Sequence, residues 1–135
     1  MTQTLGVAEA AALVGLSRTT VSSWRTRGLF NDADRLDVSD ACSLALMKRL
    51  ESAGLSARHA AELARDVRPF WGAILAPGSV RRFVANLRDP ASARWRVDFY
   101  LEEALGTLAS DGLLLIDLRA VGESVLGRLD GRRAA

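Results

Sequence analysis

Between Ser17 and Phe30 every charged side chain is an arginine. Arg18, Thr19, Thr20, Ser22, Ser23, Arg25 and Arg27 all carry hydrogen-bond donors, Ser17 adds one more hydroxyl, and no carboxylate interrupts them. This set suits contact with a polyanion. Hydroxyls are short enough to let a helix backbone approach phosphate, and guanidiniums are long enough to reach phosphate oxygens or guanine edges.

Other reactive side chains stand apart from one another. His59 is the one histidine and has no second histidine or cysteine in a ligand spacing, so a solvent-facing helical position is expected for it. The serines lack the small-residue elbow and the histidine and carboxylate partners of nucleophilic chemistry. Gly15, Gly28 and Gly54 are isolated helix terminators and form no phosphate-cradling loop. Asp98, Glu102 and Glu103 read as a solvated face, and Cys42, the sole cysteine, as core filler. The aromatic residues Phe70, Trp71 and Trp95 read as core. No enzyme, no metal and no cofactor is therefore expected.

The elements that must carry the donors are two short helices joined by a tight turn. Val7, Ala10, Ala11 and Val14 recur at helical spacing, Leu13 widens the stripe, and Gly15 ends it. Ser17 caps a second helix with Val21 and Trp24 on one face, and Gly28 stops it. The pattern is that of a helix-turn-helix. Next come a polar loop with Asn31, Asp32 and Asp34, a short ribbon at Leu36 to Val38, and a helix capped by Ser39 or Asp40 that buries Leu44, Leu46, Met47 and Leu50 before Gly54. Ser56 opens a further helix with Ala60, Leu63, Ala64 and Val67 inward.

Several of these residues carry a family likeness. Val7, Glu9, Ala11, Leu13 and Gly15-Leu16-Ser17, then Thr20, Val21, Trp24 and Gly28-Leu29, Arg35-Leu36 with Ser39, and Leu50 through Gly54-Leu55-Ser56 together resemble the DNA-binding domain of MerR-type winged-helix regulators and the related excisionase-like winged helices, over about residues 5–67. The resemblance implies a recognition helix from Ser17, a wing that adds Arg35 to the contacts, and Trp24 as a packing anchor. Where many members have an arginine and an aromatic this chain has Ser22-Ser23, and Asp37 replaces the usual wing tyrosine. Asp32, Asp34, Asp37 and Asp40 would repel phosphate if they faced it.

Past Val67 the resemblance ends. Pro69, Pro77-Gly78 and Pro90 come too often for a long pairing helix. The pattern predicts a short helix over Phe70 to Leu75, another over Ser79 to Leu87, a strand through Trp95, Val97 and Phe99, and a helix through Leu101, Ala104, Leu105 and Leu108. After a turn at Asp111-Gly112 it predicts an apolar strand over Leu113 to Leu118, a last helix through Val121, Val125 and Leu129, and a frayed end at Arg132 to Ala135. Two strands alone would leave both edges open, which favours completion by a second copy of the chain over packing beneath the first domain.

Composition sets the outer bounds. With 135 residues and 49% hydrophobic content the chain can bury one core with an appended subdomain. Its apolar runs, such as Ala10 to Val14 and Leu113 to Ile116, are too short to span a bilayer, and no signal-peptide pattern opens the sequence, so a cytoplasmic protein is expected. The net charge of +2 is small, but arginines gather at Arg18 to Arg27 and at Arg81 to Arg96, and acidic residues prevail after that.

The expected fold is mainly α with a small α+β C-terminal part: a winged helix-turn-helix domain over 1–67, a helical connector over 68–92, and an α+β dimerisation or regulatory unit over 93–135. The expected function is a sequence-specific regulator of transcription that binds double-stranded DNA as a homodimer, with RNA polymerase as a further partner. Ser17, Arg18, Thr19, Thr20, Ser22, Ser23, Arg25, Arg27 and Arg35 are the expected contacts, the hydroxyls from Thr19 to Ser23 nearest the bases. An architectural, excisionase-like or phage-encoded DNA-binding protein and a winged-helix adaptor for another protein stand as alternatives.

Overall fold

Three helices of the first half end in the same way. After α1 (Val7–Val14), the Gly15 N–H donates to Ala12 O and the Leu16 N–H closes back on Ala11 O at 2.9 Å. After α2 (Arg18–Thr26) and α3 (Val38–Ser52), Gly28-Leu29 and Gly54-Leu55 repeat the pattern. At Gly15 the stop requires glycine, because its φ is +73°, in the left-handed region. The following leucine in each case packs against the core.

The structure, a computed structural model, describes residues 4–79, 82–88, 95–101 and 114–134. A three-residue strand, β1 (Thr4–Gly6), leads into α1 and pairs antiparallel with β2 (Arg35–Asp37), Leu5 opposite Leu36. Then come α3, α4 (Ala57–Val67, capped by Ser56), one 3₁₀ turn at Arg68–Phe70 and α5 (Trp71–Leu75). A second sheet holds β3 (Arg82–Arg88), β4 (Trp95–Leu101) and β5 (Leu114–Asp117) in the order β4-β3-β5, antiparallel throughout. The chain runs on into α6 (Leu118–Ala134), whose first turn is capped by Asp117 Oδ1 at 3.3 Å from the Ala120 N–H. The fold is mainly helical with a small β part, and no helix among the described residues is long and apolar enough to cross a membrane.

At the centre lies α3, with Ala41, Cys42, Leu44, Leu46, Met47 and Leu50 all buried. It packs on α1, α4, α5 and α6. The last helix adds Leu118, Val125 and Leu129 to the same core. Gly122 allows α6 its close approach to α5, since a Cβ there would fall 2.6 Å from a Leu75 methyl. The buried Trp71 indole N–H donates to Ser43 Oγ at 3.2 Å.

Several expectations change. In place of the helix expected over Ser79 to Leu87, residues 82–88 form the central strand of the second sheet. Phe83, Val84 and Leu87 have a spacing that either period can claim, and pairing with β4 on one side and β5 on the other decides it. That third strand also removes the reason for completing the sheet with a second copy. The apolar strand ends at Asp117, not Leu118, because Asp117 caps the helix. The C-terminal end is helical through Ala134, with Arg132 donating to Glu9 O at 3.2 Å. The expected helix through Ala104, Leu105 and Leu108, the turn at Asp111-Gly112, Glu102 and Glu103 lie outside the described residues.

The cap of α3 is Asp37, and neither Ser39 nor Asp40 fills that role. Pairing of β2 with β1 runs to Asp37, so the helix starts earlier and Asp40 falls on its third position. There the two carboxylates cap reciprocally, Asp40 N–H to Asp37 Oδ1 at 2.7 Å and Asp37 N–H to Asp40 Oδ2 at 2.9 Å. Arg68 reaches in from the end of α4, with Nη2 at 3.4 Å from Asp37 Oδ2 and Nη1 at 2.9 Å from Asp40 Oδ1, the second an ion pair without hydrogen-bond alignment. Partial burial works against the Asp37 charge, yet the Asp40 N–H and Arg68 outweigh it and hold that carboxyl below its ordinary range. At Asp40, which is 3% exposed, burial wins over its N–H and Arg68 partners and, with the Asp37 charge, holds the carboxyl above the range.

The signs of the two shifts oppose each other. Asp37, depressed in the fold, contributes stability above the unfolded carboxylate value near 3.9 and loses it as pH falls through its folded value; Asp40, raised, costs stability as it ionises above that point. Asp37→Asn keeps a capping oxygen and removes the charge, so its urea-unfolding free energy should decline less than wild type on acidification below about pH 4. Asp37→Ala should also lose the cap, about 1 kcal/mol at pH 7. Parallel curves for wild type and Asp37→Asn would contradict this account of the cluster.

Candidate functional site

The residues between Ser17 and Phe30 divide by the geometry of α2. Val21 and Trp24 are buried, which turns the opposite side outward. On that side stand Thr19, Ser22, Ser23 and Thr26, all exposed and spaced three, four and seven apart. They make an uncharged stripe of hydroxyls. Arg18 flanks it on one side and Arg27 on the other, both exposed and neither in an ion pair among the described residues. No titratable side chain lies on the stripe itself.

Three of the expected contacts, Ser17, Thr20 and Arg25, serve α2 more than its outer face. Ser17 caps the helix, accepting from the Thr20 N–H at 3.0 Å, and its hydroxyl lies 2.8 Å from Thr20 Oγ1, so Thr20 is half-buried and turned toward the turn. Arg25 folds over the loop that follows. Its Nε donates to Asn31 O at 3.1 Å and its Nη2 to Asp32 O at 2.5 Å and Ala33 O at 2.9 Å. A guanidinium matched to three carbonyls is a staple between helix and loop. Arg35 is exposed on β2, with Nε at 3.3 Å from Thr4 Oγ1 and Nη2 at 3.0 Å from Thr4 O, tying the small ribbon together.

The acidic loop is less hostile to an anion than its composition implies. Asp37 and Asp40 are consumed at the head of α3 by Arg68, and Asn31 Nδ2 also donates toward Asp40 at 3.4 Å. Asp32 and Asp34 stay exposed.

Two groups of functional candidates escaped the sequence reading. Thr26 completes the hydroxyl stripe, and its position seven residues after Thr19 is the signal that identifies it. Arg58 and Arg65 on α4 share a shallow concavity of about 260 Å³ with Arg27, Gly28, Leu29 and Glu62. That places three guanidiniums against one carboxylate beside the exit of α2, an arrangement able to hold a phosphate. Nothing local in the sequence joins residues 27, 58 and 65, because the packing of α4 does so.

The remaining candidates divide: Phe70, expected in the core, is 43% exposed at the end of its 3₁₀ turn, and the Trp95 side chain lies outside the described residues. His59 is exposed and Trp71 buried in the core. Burial and the Asp37 charge push the Cys42 thiol up to about 12, far from a reactive thiolate. Arg82, from the second basic stretch, lies over the Phe70 ring at 6.0 Å. Among the described residues no three histidine, cysteine or acidic side chains gather to hold a metal.

No protein-family model matches the chain, and no curated protein matches it either.

The division of labour among the arginines is measurable without any ligand. Arg25→Ala should lower unfolding stability by about 1 kcal/mol through its lost carbonyl contacts, whereas Arg27→Ala and Ser22→Ala should stay within about 0.5 kcal/mol of wild type. Equal losses for Arg25→Ala and Arg27→Ala in chemical denaturation would refute the staple.

Proposed function

We propose that the protein binds double-stranded DNA in a sequence-specific way and regulates transcription, with α2 entering the major groove. The exposed stripe of Thr19, Ser22, Ser23 and Thr26 supports this reading most directly, since it lets a helix approach base edges closely while Arg18 and Arg27 flank it on either side. In this reading the fold of α1, α2, α3 and the β1-β2 ribbon is a winged helix-turn-helix, as its resemblance to MerR-type domains implies. Ser17 and Thr20 set the start of the recognition helix, Arg25 fixes its angle to the loop, and Arg35 braces the wing. Arg58 and Arg65 extend the phosphate contacts beyond the set expected from the sequence.

A helix of nine residues spans roughly 13 Å at 1.5 Å per residue and reads only a few base pairs. Selective binding within a genome needs more than that, so two copies acting on paired half-sites belong to the proposal. The role is non-catalytic and cytoplasmic, and the position of the site relative to a promoter determines how RNA polymerase is affected.

Salt dependence separates the two kinds of contact. Arg18→Ala and Arg27→Ala should each lower the slope of log K against log salt by about one unit while weakening binding to every sequence alike. Ser22→Ala and Thr26→Ala should leave the slope unchanged and alter the preferred bases. Absence of salt-dependent affinity for duplex DNA would overturn the proposal.

A further inference from the structure

A groove of about 580 Å³ runs between α3 and α6, within the range of sites that hold small molecules. Its apolar walls come from Val14, Ala45, Ile116 and Val121, and its polar rim is cationic, with Lys48, Arg49 and Arg128. Asp117 is the carboxylate that lines it, and one of its oxygens already caps α6. Ser52 and Ser124 add hydroxyls at the rim.

What the cations do decides what the groove can take. The Lys48 ammonium donates to Val14 O at 3.1 Å, and the Arg128 guanidinium to Leu13 O at 2.9 Å. Both therefore sit at the carbonyl end of α1, where the helix dipole offers only a fraction of a negative charge against two full positive ones. Arg49 projects from the last turn of α3 with no side-chain hydrogen bond or ion pair among the described residues. The groove thus sets three cations against one carboxylate beside apolar side chains, and an inorganic anion would satisfy only the first of these features.

We propose that this groove binds a small apolar carboxylic acid. Its carboxylate is held by Arg49 with help from Lys48 and Arg128, and its hydrocarbon body covers Ala45, Val121 and Val14. A bound acid touches α3 and α6 together, so it ties the C-terminal helix to the body of the protein and raises the melting temperature. The site stands on this groove alone and is independent of the DNA reading.

Phenylacetate is the probe, with phenylacetamide and inorganic phosphate as controls, followed by titration calorimetry and thermal unfolding of the full chain. Phenylacetate should bind saturably at one site and raise the melting temperature, while the neutral amide and phosphate bind at least about tenfold more weakly. Arg49→Ala, which removes no side-chain hydrogen bond or ion pair among the described residues, should weaken phenylacetate about tenfold or more. Ala45→Leu should block the floor and leave Arg49 in place. No saturable phenylacetate binding, phosphate binding as tight as the acid, or affinity unchanged in both variants would each overturn the assignment.

Discussion

The fold depends on a helix buried along most of its length, with only Arg49, Glu51 and Ser52 fully exposed near its C-terminal end. Along α3 the buried residues include Ala41, Cys42, Leu44, Leu46, Met47 and Leu50, with Asp40 and Ser43 as buried polar members. Burying each leucine or methionine is worth about 1.5–3 kcal/mol, but only if something covers it. Cover comes from α1, α4, α5 and α6. The chain must therefore return after the second sheet, and Leu118, Val125 and Leu129 close the core begun at Leu5. The polar atoms impose a matching demand: Arg68 meets the carboxylates at the head of α3, and Trp71 meets Ser43.

Because α3 is covered by others, α2 is spared that duty. It packs chiefly on α1 through Val21 and Trp24 and keeps its outer side for solvent. Its orientation is set at both ends by polar geometry. The Gly15 stop and Ser17 cap fix where it begins, and the Arg25 staple fixes the loop where it leaves. A short, rigidly aimed helix with an uncharged hydroxyl stripe can lie deep in a groove without desolvating a charge. The neighbouring loop permits this because Asp37 and Asp40 spend their charge on Arg68 and leave Asp32 and Asp34 as its exposed carboxylates.

Much of the first half was legible because its signals are local. Gly15-Leu16, Gly28-Leu29 and Gly54-Leu55 mark helix ends, while Ser17 and Ser56 mark starts, and each acts within one turn. The errors fall where a distant partner decides. Asp37 caps α3 because β1 lies beside it, and β1 itself is too short to be read from Thr4-Leu5-Gly6. Residues 82–88 are a strand because β4 and β5 flank them. At the candidate site, the Ser17 cap, the Val21-Trp24 spacing and Gly28 located the helix, but not which donors are outward. Arg25 belongs to the loop, Thr20 to the cap and Thr26 to the stripe, distinctions that need the burial of Val21 and Trp24 and the path of residues 31–33.

The most direct test of the central claim is methylation interference on a duplex selected from random sequence by the purified protein. Guanine N7 faces the major groove and adenine N3 the minor, so one reaction reports on both. The account predicts interference at guanine N7 in two clusters about ten base pairs apart, one for each copy of α2. Interference confined to adenine N3, or a selection that yields no preferred sequence, would contradict it.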